Sequence, residues 1–265
     1  MKEFLYWTAF KMSKPEPYGL FHIFTTIILL SITVFVAFLL RKTNEKQNRI
    51  VLFIVGAFLL LSEIYKIAFH MTVNPYNWGF WGAFPFQLCS IPMYLSLFCA
   101  FSKNEKINSW LYESMFFVNM FGGIMAFIEP SGIQHEYWTL TIHAYIWHML
   151  LIFIGLYLYM SKRVCNKGFS SYKKGIAVYL ISFIVAQLFN LIFGDKINCF
   201  YISPFVRSPL AVFKNIYESC GWFLNMVLML LAMLIASGII FYIGHFIRQN
   251  QTGKASAEEK VLIHL

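Results

Sequence analysis

Long apolar runs separated by short polar stretches dominate this chain, and the runs have the length of membrane-crossing helices. A helix needs about 20 mostly apolar residues to span the hydrocarbon core of a bilayer. Seven runs qualify, at 20–40, 50–70, 84–101, 109–128, 138–160, 175–193 and 220–247. The expected fold is therefore all-α: a polytopic integral membrane bundle of about seven transmembrane helices, or six if the first run lies flat. Residues 1–19 set FLYW and AF beside Lys2, Lys11 and Lys14, the make-up of an interfacial segment. The turn-rich stretch KPEPYG then leads into the first run, which carries no A-x-A-like cleavage site and reads as an anchor. The expected organisation is a short interfacial segment at 1–19, one transmembrane domain at 20–247 and a polar, frayed tail at 248–265. There is no internal repeat and no second domain.

Composition narrows the class. Hydrophobic residues make up 59% of the 265 and charged residues 12%, against roughly 25% charged in an ordinary soluble domain. That balance excludes a soluble enzyme, a secreted disulfide scaffold and a nucleic-acid-binding module. The net charge of +9 would suggest nucleic acid in a soluble protein, but here the basic residues lie between apolar runs and act as topology signals. With seven spans, 14 of the 21 Lys and Arg fall on one side, 6 on the other, and Lys66 lies inside a run. The basic side is expected to be cytoplasmic, which puts the N-terminus outside and the C-terminus inside the cell membrane. The five Cys are scattered with no CxxC, so no metal or redox site and no cofactor is expected. Cys199 and Cys220 share one loop and are the pair a disulfide would join.

Candidate chemistry sits among the polar residues inside the runs, each of which costs energy there: about 2.5–3.5 kcal/mol or more for a charge at the bilayer centre. The second run carries Glu63, Lys66 and His70, the third Gln87 and Cys89, the fourth Glu113, the fifth His143 and His148, the sixth Gln187 and Asn190. By depth, all but Glu113 gather towards the outer leaflet. Each has a plain packing role to set against a functional one. Glu63 and Lys66, three residues apart, neutralise one another on one helix face or form the charged wall of a hydrated cavity. His70 reads as interfacial, and Glu113 snorkels to the inner surface. Asn190 and Gln187 join helices, and a lone Cys89 is a small buried hydrophobe. Trp78, Trp81, Tyr137 and Trp138 fit an interfacial belt. His143 and His148 lie about 140° apart around one helix, so only one of them faces a given pocket squarely.

At FPFQLCSIPMYL (84–95) the chain resembles the YwaF and transmembrane protein 164 family, whose signature is Pro-x-x-Leu-Cys at the start of a span. Three further stretches agree in order and spacing: ESMFFVNMFGGIMAFIEP (113–130), IHAYIWHMLLIFIGLYLY (142–159) and NLIFGDKINCFYISP (190–204). The resemblance implies a multi-span lipid acyltransferase that works through a cysteine on phospholipid or lysophospholipid. It maps the nucleophile to Cys89 and the base to His148, whereas depth favours His143, so both stand. Gln87, Asn190 or Asn198 would donate to an oxyanion, and Lys66 or Arg207 would hold a lipid phosphate. The loop at 194–219 is long enough to form a lid. Two other classes fit the same polar cluster: a transporter or channel with an intramembrane Glu-Lys-His relay, and a non-enzymatic lipid-binding membrane protein.

Overall fold

The computed structural model describes residues 2–74 and 79–263, with side chains for 2–74, 80–210 and 212–251. Among these residues the chain is helical, and the one β-type contact is an isolated bridge between Lys11 and Tyr137. The helices are α1 (Lys2–Trp7), α2 (Leu20–Leu39), α3 (Glu45–Thr72), the single turn α4 (Gly79–Gly82), α5 (Ile91–Phe101), α6 (Glu105–Glu113), α7 (Met120–Ile128), α8 (Trp138–Met160), α9 (Phe169–Phe193) and α10 (Ala211–Ile263). A π-helical segment, Ser114–Asn119, joins α6 to α7, so the two make one continuous rod over Glu105–Ile128.

Local chemistry sets the ends. Asn44 and Gln47 form a reciprocal capping box at the start of α3, and the Asn104 side chain caps α6, each supplying acceptors to N–H groups that have no partner within the helix. Gly168 and Gly194 bracket α9 at φ +51° and +64°, a backbone region that glycine enters without steric cost. Gly221, at φ +81°, breaks α10 into an amphipathic lead-in and the long apolar helix.

Six helices are long and apolar enough to cross a membrane. The seventh apolar run is also helical, but the doubtful span is the third rather than the first. Its helical part, Leu88–Phe101, rises about 21 Å at 1.5 Å per residue, short of the ~30 Å hydrocarbon core. The first run, expected to lie flat if only six spans form, is a full-length apolar helix. The tail expected to fray is drawn as a continuation of α10 as far as Ile263.

The centre of the bundle is the α6–α7 rod and α8, where 61% of the most apolar stretch is buried in each, against 11% for α2. Leu52, Phe117, Leu151, Ile154, Tyr157 and Leu158 lie in one fully enclosed core. α5 packs along α3, α7 and α2 along α8, and α6 along α9. Gly56 makes the first of these possible, since a Cβ there would stand 3.0 Å from the Leu97 nitrogen. α2, α9 and α10 turn large apolar side chains such as Phe35, Ile184 and Ile235 outwards, the exposure expected of a surface that faces lipid.

Loops gather at two ends. At one, Arg163 donates to the carbonyls of Thr43 and Asn44, and the Thr43 hydroxyl bonds to Tyr157. Glu113, expected to snorkel, is instead 4% exposed and accepts the Cys165 amide at 3.0 and 3.1 Å; it ties down the 161–168 turn from inside. At the other end, α1 and the segment after it cross the bundle as a strap. Leu5 packs on Phe69 and Leu140, Thr8 meets the Tyr65 hydroxyl at 2.7 Å, and the backbone of Phe10 and Met12 pairs with Trp138 and Glu136.

Candidate functional site

Cys89 lies at this strapped end. Residues Leu88–Ser90 form a 3-10 turn that runs directly into α5, with Pro92 in the first turn, where its missing N–H costs nothing. The start of this short helix leaves backbone N–H groups that have no partner within the helix. Such an opening is tolerated only where protein or water surrounds it. Here the neighbouring spans do so. The Leu88 carbonyl accepts from Asn119 at the end of the π segment (3.3 Å), and the Cys89 carbonyl accepts from the Trp147 indole of α8 (3.0 Å).

α8 carries both candidate histidines, and its Trp147 is the residue that reaches this turn. The His148 Nδ1 lies 2.7 Å from the Ala144 carbonyl. A carbonyl can only accept, so Nδ1 carries the proton and, in the neutral ring, Nε2 keeps its lone pair. His143 lies tilted on the Trp147 ring, centroids 5.4 Å apart, with Nε2 enclosed and without a partner. Gly123 lets α7 pass close behind: a Cβ there would be 2.9 Å from the His148 carbonyl oxygen.

α3 supplies the charges. Glu63 is 1% exposed and pairs with Lys66 at 2.6 Å, so the expected self-neutralising pair is formed. Lys66 also sits 5.9 Å from the Trp147 ring and within Coulombic reach of Cys89, His143 and His148. His70, expected at the interface, is 4% exposed, with Nδ1 on the Asn74 carbonyl.

The other sequence candidates do different work. The Gln87 amide spans the 198–200 backbone, donating to the Asn198 carbonyl (2.7 Å) and accepting from the Phe200 N–H (2.8 Å). Asn190 brackets Cys199 in the same way, at 2.7 and 3.0 Å. Asn198 accepts from Ser203 and donates to the carbonyls of Val206 and Arg207. These three amides knit the loop after α9 instead of pointing at Cys89. Phe200 and Tyr201, held at φ +54° and +59°, are locked by this pattern, with the Phe200 ring between Phe86 and Tyr179. Arg207 pairs with Glu218 at 3.0 Å on the exposed face of the loop. Gln187 is buried with no hydrogen-bond partner, so it does not join helices. Cys199 is buried, Cys220 is exposed and both thiols are free; no disulfide joins them. Trp81 lies tilted against Phe193 and Tyr137 meets Phe69 edge to face, while Trp78 lies outside the described residues.

Three participants escaped sequence reasoning. Trp147 stood beside His148, and its role came only from the partner it found. Asn119 is one polar residue in an apolar run and should have been weighed with the others. His135 lies in the connection between α7 and α8, so depth gave no reason to choose it. Its amide bonds to the Thr141 hydroxyl, and burial pushes its imidazole down to about 4, with the charges of His70, Lys14 and Lys66 acting the same way. Among the described residues no group of three His, Cys, Asp or Glu is arranged to hold a metal ion.

The site is thus carried by a multi-span helical protein in which a short apolar helix opens on a cysteine tied to α8 through Trp147. The TMEM164 family matches residues 17–244, and the chain belongs to that family. No curated protein and no solved structure matches it.

Proposed function

We propose that this protein is an integral membrane acyltransferase that moves a fatty acyl group between lipids through a thioester on Cys89, with a histidine of α8 as the base. The observation that carries the reading is the convergence at the head of α5. Cys89 occupies a helix N-terminus, where the positive end of the helix favours a thiolate. Its backbone is tied by Trp147 to the helix bearing His148, and Lys66 adds a cation within reach of both. His148 is the better base, because its Nδ1–H is already bonded and Nε2 is free to accept.

The steps balance with one proton. His148 Nε2 takes the Cys89 proton, and the thiolate attacks the ester carbonyl of a donor phospholipid. The C–O bond breaks, the imidazolium protonates the departing alkoxide, and a lysolipid leaves. An acceptor lysolipid then gives its hydroxyl proton to the same imidazole and attacks the thioester, releasing thiolate. N–H groups at the start of α5 are the nearest oxyanion donors, since the Gln87, Asn190 and Asn198 amides already serve the loop. An ester carbonyl lies just below the headgroup, close to the depth of Cys89. The basic-end count supports placing this end outside, with the N-terminus outside and the C-terminus in the cytoplasm of a cell whose membrane the chain spans.

Intact mass of the purified protein incubated with mixed phospholipids tests the reading. The wild type is expected to gain a fatty-acyl increment that neutral hydroxylamine removes. Cys89→Ala is expected to lack it, and His148→Asn to lose at least about 100-fold in transfer rate. Full acyl transfer by Cys89→Ala would overturn the assignment.

A further inference from the structure

The end of the bundle opposite Cys89 carries an open groove of about 410 Å3 between the start of α3 and the end of α5. Glu45, Lys46 and Arg49 form its polar rim, and Ile50, Phe53 and Phe101 its walls. Three observations give it a ligand chemistry.

The first is unanswered positive charge. Among the described residues no ion pair engages Lys46 or Arg49, and the Arg49 Nε is shielded from solvent without a hydrogen-bond partner. Glu45 is drawn instead towards Arg163, at 3.6 Å. The second is position. Both cations lie within the first five residues of α3, at the end of a helix where the macrodipole disfavours cations and favours anions. They do not stabilise α3, whereas an anion held between them would be attracted by both and by the helix end. The third is the wall. Phe101 is 71% exposed, Ile50 and Phe53 are also exposed, and the Phe53 and Phe101 rings meet edge to face at 5.6 Å. Cations over an apolar groove, one to two turns from a helix end, match a phosphate above an acyl chain.

We propose that this groove binds an anionic phospholipid of the leaflet at the basic end, its phosphate between Lys46 and Arg49 and one acyl chain along Ile50, Phe53 and Phe101. The site is independent of the chemistry at Cys89.

Native mass spectrometry of the delipidated protein, titrated with phosphatidylglycerol or with phosphatidylcholine of the same chains, tests this. The wild type is expected to bind its first phosphatidylglycerol about tenfold more tightly than phosphatidylcholine, a difference of about 1.4 kcal/mol. The Lys46→Gln/Arg49→Gln variant should bring that ratio close to one, and Lys46→Arg/Arg49→Lys should keep it. Lys106→Gln/Lys167→Gln removes the same charge from the same end away from the groove, and should leave the ratio unchanged. Ala100→Trp fills the groove and should weaken both lipids. A double Gln variant that keeps the preference would overturn the proposal. So would a control pair that loses it equally, since the whole basic face would then be responsible, and so would a wild type without preference.

Discussion

A histidine kept neutral by burial makes one region of this protein sensitive to acid. His135 is held near 4 in the folded chain, against about 6.5 when unfolded. Between those values the unfolded chain binds more protons, so folding stability falls as pH is lowered from about 6.5 towards 4. Thermal melts of the detergent-solubilised protein should show this as a Tm decline over that window. His135→Asn should flatten the decline by a few degrees relative to wild type; an unchanged slope would mean that other groups set it. The two buried thiols outside the spans behave differently. Burial pushes Cys165 and Cys199 up to about 12, so neither is a nucleophile at neutral pH. Residue type alone did not separate these thiols from Cys89. What sets Cys89 apart is that its turn runs directly into an apolar helix and is tied to Trp147 of α8.

At the scale of elements, the loop after α9 has the most to say. Its length suggested a lid, but its backbone is clamped at several points. Gln87 reaches across more than 100 residues of sequence to hold Asn198 and Phe200. Trp222 and Tyr217 of α10 donate to the carbonyls of Ile202 and Pro204. Removing one buried amide that serves two backbone groups costs about 1–3 kcal/mol. Gln87→Ala should therefore lower Tm by several degrees and open residues 194–210 to limited proteolysis. A cleavage pattern identical to wild type would show that the clamp is dispensable. The π segment is the other element that periodicity could not announce. Its extra backbone turn delivers Asn119 to Leu88, and Gly175 lets α9 pack against it, where a Cβ would stand 2.4 Å from the Phe117 ring.

Across the whole molecule the loops sort to two ends, and the charge asymmetry turns those ends into a prediction about sidedness. Ser131 lies exposed between α7 and α8, and Lys103 lies exposed between α5 and α6 at the opposite end. In intact cells a membrane-impermeant maleimide should label Ser131→Cys several-fold above the wild-type background. Lys103→Cys should react only after permeabilisation. The reverse pattern would invert the orientation drawn from the 14-to-6 distribution of basic residues. The same layout puts Cys89 and the groove at Lys46 at opposite ends of the bundle.

Helical class, the number of apolar runs and the residues worth weighing were all determined by the sequence. Hydropathy and length act locally: a backbone in lipid must satisfy its own hydrogen bonds, and only a helix of sufficient length does so. Cys89, His143, His148, Glu63 and Lys66 were legible because polar residues stand out in apolar runs. The Glu63–Lys66 pair follows from their spacing, whereas tertiary structure alone set what surrounds the others. That Gln87 clamps the loop after α9 and that Glu113 is buried on the Cys165 amide depend on partners 52 to 113 residues away. Such partners are selected by packing and by the need to satisfy each buried polar group, which no local pattern encodes.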